Sequence, residues 1–425
     1  MPLPGDNALA TEPIDAPHAG ALKVSLTSST GIIPIANATV TIYTAEEPDV
    51  PFETLTTDSS GQTEIVELPA PPLEWSLEPS AQQPYSLYNL HAAAEGYEPV
   101  LITGIEILAD QLSLQPILMN PLSTTNEAEK IVVIAPHVLF YDYPPKIPEE
   151  EIKPLAETGE IVLSQVVIPE FIIVHDGLPT DSTAANYWVR YKDYIKNVAS
   201  CEIYSTWPEA SIYANILAIM SFTLNRVYTE WYRNQGYDFT ITSSTAYDQK
   251  WIYGRNIYEN IDFLVDTVFA NYLSRPGVRQ PIFTAYCDGN RVSCNGLSQW
   301  GSKYLGDEGY SAIDIIRHYY GNDMYINTAE SISGVPSSWP GYDLSIGSAG
   351  EKVRQLQTQL NRIANNYPAI PVLVADGIYG PQTAESVSIF QGIFNLPQTG
   401  VTDYATWYEV SEIYVGVSRI AEPGS

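Results

Sequence analysis

The stretch Asp376-Gly377-Ile378-Tyr379-Gly380-Pro381-Gln382-Thr383 separates two apolar stripes near the C-terminus. Both stripes repeat every three or four residues, which is the spacing of one face of a helix. They consist of Val353, Leu356, Leu360 and Ile363 before the stretch, and Val387, Phe390 and Phe394 after it. Because glycine tolerates tight-turn backbone, the stretch predicts a short connection, with the second helix beginning at Thr383.

A third helix is predicted after Asp403, whose side chain suits a helix N-cap. This short helix contains Trp407. We therefore expect a small three-helix domain over residues 342–413, with a tail over residues 414–425.

The C-terminal motifs resemble a known family. They are Gly347-Ser348-Ala349-Gly350, residues 376–383, Phe390-Gln391, Thr399-Gly400-Val401-Thr402-Asp403 and Thr406-Trp407. Together they are similar, almost position by position, to the three-helix peptidoglycan-binding domain of many cell-wall hydrolases. The resemblance implies peptidoglycan as a partner. It places the contacts at a groove edge with polar groups suited to sugars and amides: Asp376, Tyr379, Thr383 and Gln391.

The region from residue 166 to residue 336 mixes strands with three predicted helices. The first begins after Trp207-Pro208, carries a stripe from Ile212 to Trp231 and ends near Gly236. The second carries Ile257, Ile261, Leu264, Val268 and Tyr272. The third begins at the capping pair Ser311 and Asp314 and stops at Gly321.

Two stretches of this α+β region resemble the SpoIID family of lytic transglycosylases. One is residues 194–203, Tyr-Ile-Lys-Asn-Val-Ala-Ser-Cys-Glu-Ile, followed by Trp207-Pro208-Glu209-Ala210. The other is Gly296-Leu297-Ser298-Gln299-Trp300-Gly301-Ser302 with the helix after it. The resemblance implies that Glu202 is the catalytic carboxyl, with Glu209 as the fallback. Our candidates for the glycan groove are Tyr247, Asp248, Gln249, Ser298 and Gln299.

The sequence departs from that family where relatives carry metal-binding residues. The histidine expected before Ser298 is absent, and the loop at residues 243–249 holds neither Cys nor His. We therefore predict no metal and no cofactor. Cys201 has no nearby His in the sequence to activate it, so we expect an inert thiol rather than a nucleophile.

A single carboxyl is enough for the implied reaction. Most glycosidases need two carboxyls. In a lytic transglycosylase the 6-hydroxyl of muramic acid attacks its own anomeric carbon, so the nucleophile arrives with the substrate. Glu202 would first protonate the glycosidic oxygen and then accept the proton of that hydroxyl. On spacing alone, a lone Glu before a helix is more often a solvated or capping residue.

The N-terminal part is predicted as an all-β sandwich over residues 20–121, after a flexible stretch over residues 1–19. Leu22, Val24 and Leu26 alternate as in a strand, and residues 57–61 are typical of a turn. The pattern resembles the carboxypeptidase-regulatory-like, or transthyretin-like, fold. Residues 122–165 contain the run Pro-Pro-Lys-Ile-Pro-Glu-Glu-Glu, which predicts a linker or an extended surface segment.

The order of these parts resembles the SleC-like spore cortex-lytic enzymes, which are made as zymogens with an N-terminal pro-region. The resemblance implies a pro-region up to about residue 140 and an activating protease that cuts between residues 122 and 165. The alternatives are a non-catalytic scaffold or amidase activator on the same domain, and an amidase or peptidase. The last is disfavoured because the sequence has no clustered zinc ligands and no Cys-His pair.

Composition excludes several partners. Twenty basic against 50 acidic residues give a net charge of −30, which would repel nucleic acid and anionic lipid. No apolar run is long enough to span a membrane, and the first residues do not resemble a secretory signal. We expect synthesis without such a signal, and a spore or cell-wall location. Cys287 and Cys294 could form a disulfide, but without an export signal we expect two reduced thiols.

Overall fold

The computed structural model describes residues 18–29, 32–122, 129–153 and 165–418. Within these ranges the chain is a mixed α/β protein of several parts. We call residues 18–134 the two-sheet unit, residues 135–153 the strap, residues 165–336 the central unit and residues 342–418 the C-terminal unit. The predicted flexible stretch up to residue 17 and the tail after Ser418 lie outside the described residues.

The two-sheet unit is built from antiparallel and parallel strands that share one apolar core. Its strands are β1 (Ala19–Ser28), β2 (Thr39–Thr44), β3 (Pro51–Thr56), β4 (Val66–Pro69), β5 (Ser86–Ala93), β6 (Val100–Ile107), β7 (Leu112–Met119) and β8 (Lys130–Val133). Burial alternates along β1, as predicted from Leu22, Val24 and Leu26. The predicted turn is confirmed, because the Asp58 carboxylate accepts from the N–H groups of Ser60 and Gln62.

The central unit holds short strands and five of the described helices. The strands are β9 (Val167–Ile168), β10 (Phe171–His175), β11 (Asn186–Arg190), β12 (Ile241–Thr242), β13 (Ile257–Tyr258), β14 (Asn271–Ser274), β15 (Tyr286–Cys287), β16 (Leu297–Ser298), β17 (Tyr325–Thr328) and β18 (Ser331–Ile332). The helices are α1 (Tyr191–Glu202), α2 (Glu209–Tyr228), α3 (Glu259–Val268), α4 (Gln299–Asp307) and α5 (Ala312–Tyr320). A three-residue 3-10 helix spans Arg233–Gln235, and a further 3-10 helix of the two-sheet unit spans Leu73–Ser76.

Strands from two parts of the chain complete the sheets of the two-sheet unit. The five-stranded sheet has the order β3-β2-β5-β6-β8, and the four-stranded sheet has the order β13-β7-β1-β4. β8 comes from the segment predicted as a linker, and β13 comes from the central unit. The predicted boundaries of the sandwich at residues 20 and 121 are therefore too narrow, because its sheet edges recruit strands from beyond them.

The predicted helices of the central unit agree with the structure in part. The third prediction is confirmed: Ser311 caps α5 by accepting from the Asp314 N–H, and Gly321 follows with φ 98°. The first helix begins after Pro208 but ends at Tyr228, so Trp231 lies beyond it. The second prediction is too long, since Ile257 and Tyr272 lie in β13 and β14, where neighbouring strands bind their backbone.

Helix α1 was not predicted as a helix, and it is the most enclosed one. Every residue in it except Asp193 is buried. Tyr191, Tyr194, Ile195 and Val198 follow helical spacing and face the main core. Its polar residues are buried because the other units cover the remaining faces of the helix.

The C-terminal unit contains α6 (Glu351–Ala364), α7 (Pro381–Ile393) and α8 (Tyr404–Ser418). The predicted turn is present, with Gly377 at φ 79°, and α7 begins two residues before Thr383. Asp403 accepts from the Thr406 N–H, as predicted. α8 is longer than the short helix we predicted, and it includes residues 414–418 of the predicted tail. None of the described helices has the length and apolar character that crossing a bilayer requires.

Helix α8 is joined to the central unit by a buried group of charges. Lys192 of α1 pairs with Glu409, with Glu412 at 2.9 Å and with Asp266 of α3 at 3.1 Å. Lys196, one turn later, pairs with Asp262 at 2.6 Å and Asp266 at 2.9 Å. The C-terminal unit is therefore docked against α1 and α3.

The segment predicted as a linker has both exposed and buried residues where the structure describes it, and its buried residues anchor it to the molecule. Val132, His137 and Leu139 are buried, and Lys153 is 3% exposed. The segment has no described helix, as its prolines predict, but its polar groups bind the central unit. Residues 123–128 and 154–164 of the predicted linker lie outside the described residues.

Cys287 and Cys294 form a disulfide, with Cα atoms 6.0 Å apart. Our expectation of two reduced thiols is therefore wrong. The loop between them is closed a second time by Asp288, whose carboxylate accepts from the N–H groups of Asn290, Arg291 and Val292. These bonds bring the two cysteines together.

Replacing Glu409 should stabilise the protein at alkaline pH. Arg190, Lys192 and Lys196 face five acidic residues at this junction: Asp193, Asp262, Asp266, Glu409 and Glu412. Burial raises the pKa of Glu409 from 4.5 to about 7. The stabilisation linked to its proton is therefore complete below about pH 4.5 and lost as the pH rises through 7.

We expect Glu409→Gln to raise the free energy of unfolding by about 1 kcal/mol at pH 8 and by much less at pH 5. Denaturant unfolding at both pH values measures this. Glu351→Gln, on the exposed start of α6, is the control. A lower free energy of unfolding at pH 8 would contradict this expectation, because it would show that the negative charge of Glu409 stabilises the junction.

Candidate functional site

Glu202 is the last residue of α1, and its carboxylate is held by groups from three parts of the central unit. Oε1 accepts from the Lys250 N–H at 2.9 Å and from the Tyr286 hydroxyl at 3.3 Å. Oε2 accepts from the Gln299 amide at 3.0 Å. The residue is 2% exposed. The carboxylate is therefore fixed in position and shielded from solvent.

Gln299 connects the two stretches that carry the resemblance to the transglycosylase family. Its Nε2 donates to both the carboxylate and the backbone carbonyl of Glu202, each at 3.0 Å. Its Oε1 is buried and has no hydrogen-bond partner within the described residues. The structure thus leaves one acceptor beside Glu202 available to a donor such as a hydroxyl group.

The strap runs along this site and is hydrogen-bonded to it at several points. The Tyr143 hydroxyl accepts from the Asp288 N–H at 2.9 Å, and the Ile147 N–H donates to the Ala246 carbonyl at 2.8 Å. Near the start of the strap, His137 Nε2 lies 3.0 Å from the Ile203 carbonyl. These contacts hold the strap over the end of α1.

Lys146 of the strap is half-buried and interacts electrostatically with the Glu202 carboxylate. Its Nζ donates to the Asp248 carbonyl at 2.5 Å and lies 4.4 Å from the ring centre of Tyr286, the residue that donates to Glu202. Burial lowers the pKa of Lys146, and the negative charge of Glu202 partly offsets that effect. Burial likewise raises the pKa of Tyr143, with Asp288 and Glu202 adding to the shift. The strap therefore places a cation and a hydroxyl close to the candidate catalytic group.

The far end of the strap is fixed by ion pairs. Glu149 binds the guanidinium of Arg226 with both oxygens, at 2.6 and 2.8 Å. Glu151 forms a bidentate pair with Arg275. Two residues of the acidic run that looks like a solvated linker in the sequence, Glu149 and Glu151, are thus paired with a buried and a half-buried arginine.

Asp248 and Gln249, two of the residues assigned to the glycan groove, are fully buried and bound within the protein. Asp248 accepts from Arg226 Nε at 2.7 Å, from the Tyr232 hydroxyl at 2.6 Å and from the Thr242 N–H at 2.9 Å. Gln249 accepts from the hydroxyls of Tyr194 and Thr223. In this conformation neither side chain faces a groove.

The other groove candidates have mixed positions. Tyr247 is half-buried, and its carbonyl accepts from Arg226 Nη2 at 3.1 Å. Ser298 caps α4, because its hydroxyl accepts from the Gly301 N–H at 2.9 Å. Gln299 is the one groove candidate whose hydrogen bonds join it to Glu202 within the described residues. Sequence reasoning missed Lys250 and Tyr286, whose roles depend on contacts 48 and 84 residues away in the chain.

In the C-terminal unit, most of the residues assigned to peptidoglycan contact stabilise the fold. Tyr379 is 1% exposed and donates to the Gly400 carbonyl at 2.9 Å. Gln391 is also buried and donates to the Val401 carbonyl, and Thr383 accepts from Gln357. Asp376 alone of the four is exposed. Three of the four predicted contacts are therefore internal in this structure.

We find neither a reactive cysteine nor a metal-binding cluster among the described residues. Cys201 is a buried free thiol, and burial raises its pKa to about 12, which suppresses the reactive thiolate. Among the described residues, no three His, Cys, Asp or Glu side chains are grouped as a metal site would require. Glu202 therefore remains our candidate catalytic group in the central unit.

Residues 349–409 match the family described as "Putative peptidoglycan binding domain". The helical C-terminal unit fits this domain, which supports peptidoglycan as a partner and indicates association with the cell wall. The match covers less than half of the chain. No curated protein matches the sequence.

Some solved structures share partial likeness with the chain. The Bacillus anthracis TIE protein is 17% identical over 25% of this chain and 18% of its own, with a TM-score of 0.19. The Klebsiella pneumoniae 5-hydroxyisourate hydrolase is 19% identical over 24% of this chain and 92% of its own, with a TM-score of 0.17. Chlorocatechol 1,2-dioxygenase from Pseudomonas putida is 15% identical over 30% of this chain and 69% of its own, with a TM-score of 0.16. Likenesses at this level carry no conclusion about function.

Asp248→Asn should destabilise the protein strongly. Its amide would face donors that now point at a carboxylate, and it would leave the buried Arg226 charge less well paired. We expect a loss of about 3–5 kcal/mol in the free energy of unfolding, measured by denaturant titration. Asp142→Asn is the control, because the Asp142 side chain is 98% exposed. A fully stable Asp248→Asn variant would return Asp248 to the list of groove candidates.

Proposed function

We propose that this protein is a lytic transglycosylase that cleaves peptidoglycan, with Glu202 as its catalytic carboxyl. The observation that carries the proposal is the contact between Glu202 and Gln299. It joins two stretches, 97 residues apart, that both resemble the same transglycosylase family. The substrate would be the glycan strand, cut between N-acetylmuramic acid and N-acetylglucosamine.

The proposed reaction uses one carboxyl twice. Glu202, in its acid form, donates its proton to the glycosidic oxygen as the bond to the anomeric carbon breaks. The 6-hydroxyl of the same muramic acid then attacks that carbon, and the Glu202 carboxylate accepts the hydroxyl proton. The products are a 1,6-anhydro-muramic end and a new free glycan end, and Glu202 is protonated again. The unpartnered Oε1 of Gln299 is placed to accept from a substrate hydroxyl.

An aromatic cleft supports a sugar-chain substrate. A cleft of about 600 Å³ lies where the three units meet, and its lining includes Tyr187, Trp188, Trp251 and Tyr253. Aromatic faces suit the apolar faces of sugar rings. The chain reaches this cleft directly after Lys250, whose N–H holds Glu202. Glu202 itself does not line this cleft, so a glycan bound along the aromatic residues would reach the carboxyl only after the residues between them move.

We propose further that the chain is made in a latent form and that the strap masks Glu202. A carboxyl that is 2% exposed cannot reach a glycan until the residues over it move. Cleavage between residues 122 and 165, the window implied by the resemblance, would separate the two-sheet unit from the central unit along the chain. A cut after Lys153 would also free one end of the strap. The biological setting would be wall or spore-cortex lysis during germination.

The alternative is a non-catalytic scaffold or amidase activator bound to peptidoglycan. The observation that favours it is the same burial of Glu202, with all its carboxylate contacts made inside the protein. Product chemistry distinguishes the two. Anhydro-muramic ends form only if this chain cuts the glycan.

The variant Glu202→Gln tests whether Glu202 is the catalytic carboxyl, and it is assayed in a sample of the chain that a protease has cut between residues 122 and 165. The amide keeps the shape of the side chain, and its oxygen can still accept from the Lys250 N–H and the Tyr286 hydroxyl, while the hydrogen bond from Gln299 Nε2 to the side chain is lost. We expect slightly lowered thermal stability and normal binding to sacculi, with release of anhydro-muropeptides reduced at least about 100-fold. Mass spectrometry of the digest measures this. Glu209→Gln, on the exposed first turn of α2, should keep most activity. Near wild-type release by Glu202→Gln would refute the assignment.

The strap can be tested in the uncut chain. Replacing Tyr143 and Lys146 together by alanine removes the two strap side chains that interact electrostatically with the Glu202 carboxylate. We expect the uncut double variant to release anhydro-muropeptides several-fold faster than the uncut wild type. Tyr141→Ala is the matched control within the strap, because Tyr141 is 60% exposed. If the uncut double variant and the uncut wild type release anhydro-muropeptides at equal rates, the strap does not mask Glu202.

A further inference from the structure

One edge of the C-terminal unit exposes four aliphatic side chains to solvent. Ile346, Val372, Val374 and Ile378 are 63%, 74%, 76% and 59% exposed. Ile346 and Ile378 lie close together, because Ala349 pairs with Ile378 in a β-bridge and the Gly347 N–H donates to the Tyr379 carbonyl. Val374 is joined to the same turn, because its carbonyl accepts from the Asp376 N–H, and Val372 lies two residues before it. We call these four residues the aliphatic edge. No residue that the structure describes covers it.

The backbone of the aliphatic edge is held like a strand with one free side. The Asn361 amide binds both the N–H and the carbonyl of Leu373, at 2.7 and 2.8 Å, and the Leu373 side chain is buried. In such an extended segment, the polar groups of the neighbouring residues point the other way. Accordingly, the N–H and carbonyl of Val372 and the N–H of Val374 have no partner among the described residues.

A cation lies beside the aliphatic edge. The Arg354 side chain is 55% exposed and is 4.0 Å from its nearest acidic partner, Glu351. It sits next to Gly377, where an added Cβ would be 3.5 Å from Arg354 Nε. The nearby polar side chains are already used, since Gln357 binds Asp376, Thr383 and the Ile378 carbonyl. The edge therefore offers aliphatic surface, unpaired backbone groups and one guanidinium, which also interacts with the exposed Asp376 carboxylate.

We propose that the aliphatic edge binds the peptide stem of peptidoglycan by adding it as a short strand beside Val372 and Val374. A stem has amide bonds for the free backbone groups, alanyl methyls for the aliphatic side chains and carboxylates for Arg354. A glycan strand fits less well, because the edge has neither an aromatic ring nor a free side-chain amide among its described residues. The proposal rests on the association with peptidoglycan and adds which part of the polymer is bound, and where.

Sedimentation of the full chain with purified sacculi tests the proposal. Intact sacculi are compared with sacculi whose stems have been removed by an N-acetylmuramoyl-L-alanine amidase. The test variant is Val372→Ser with Val374→Ser. The control is Ile131→Ser with Val133→Ser, an exposed pair at the same spacing on β8, 62% and 68% exposed. Arg354→Gln tests the carboxylate contact.

We expect the wild type to sediment with intact sacculi, and removal of the stems to weaken retention about tenfold. Val372→Ser with Val374→Ser should weaken retention on intact sacculi about tenfold as well, whereas the control pair should bind like the wild type. Equal retention of the test pair and the wild type, or equal binding to stem-free glycan, would overturn the stem assignment while leaving wall association intact.

Two other outcomes would also overturn the stem proposal. Failure of the wild type to bind any sacculus would refute the association with peptidoglycan itself. If light scattering shows a wild-type dimer that the test pair abolishes, the edge binds a second copy of the chain instead.

Discussion

The burial of helix α1 is the constraint on which the other units depend. Its lysines are taken out of water, and this is tolerated only because α3 and α8 supply carboxylates within hydrogen-bond distance. Its last turn is bound from the other side by Arg255, which donates to the Ser200 carbonyl and pairs with Glu106 of the two-sheet unit. One helix thus joins all three units, and Glu202 is its last residue.

This placement fixes Glu202 firmly and also hides it. Because Glu202 is the last residue of α1, the helix sets the position of its carboxylate. The groups that hold the carboxylate are the Lys250 N–H, the Tyr286 hydroxyl and the Gln299 amide. In our proposal, the strap closes the site with Tyr143 and Lys146. A rigid but covered carboxyl suits the latent transglycosylase that we propose, because preorganisation is retained while access depends on displacing one segment.

Local signals in the sequence predicted the elements that depend on local physics. The Asp376-Gly377 turn, the Ser311 cap and the start of α2 after Pro208 follow from residues within a few positions of each other. The second helix of the central unit was predicted too long because Ile257 and Tyr272 continue its stripe but pair with distant strands. Asp248 and Tyr379 look like surface groups, yet partners far along the chain satisfy them in the core. Glu202 was identified from a family resemblance, while its cover by the strap depends on contacts that no local pattern contains.

The central claim is that Glu202 cuts glycan once the strap is displaced. The most direct measurement compares the release of anhydro-muropeptides from purified spore cortex by the uncut chain and by chain cut between residues 122 and 165. The account predicts little release before the cut and much faster release after it. Equal release before and after the cut would contradict the proposal that the strap masks Glu202. The absence of anhydro-muramic ends from both samples would contradict the proposed transglycosylase activity.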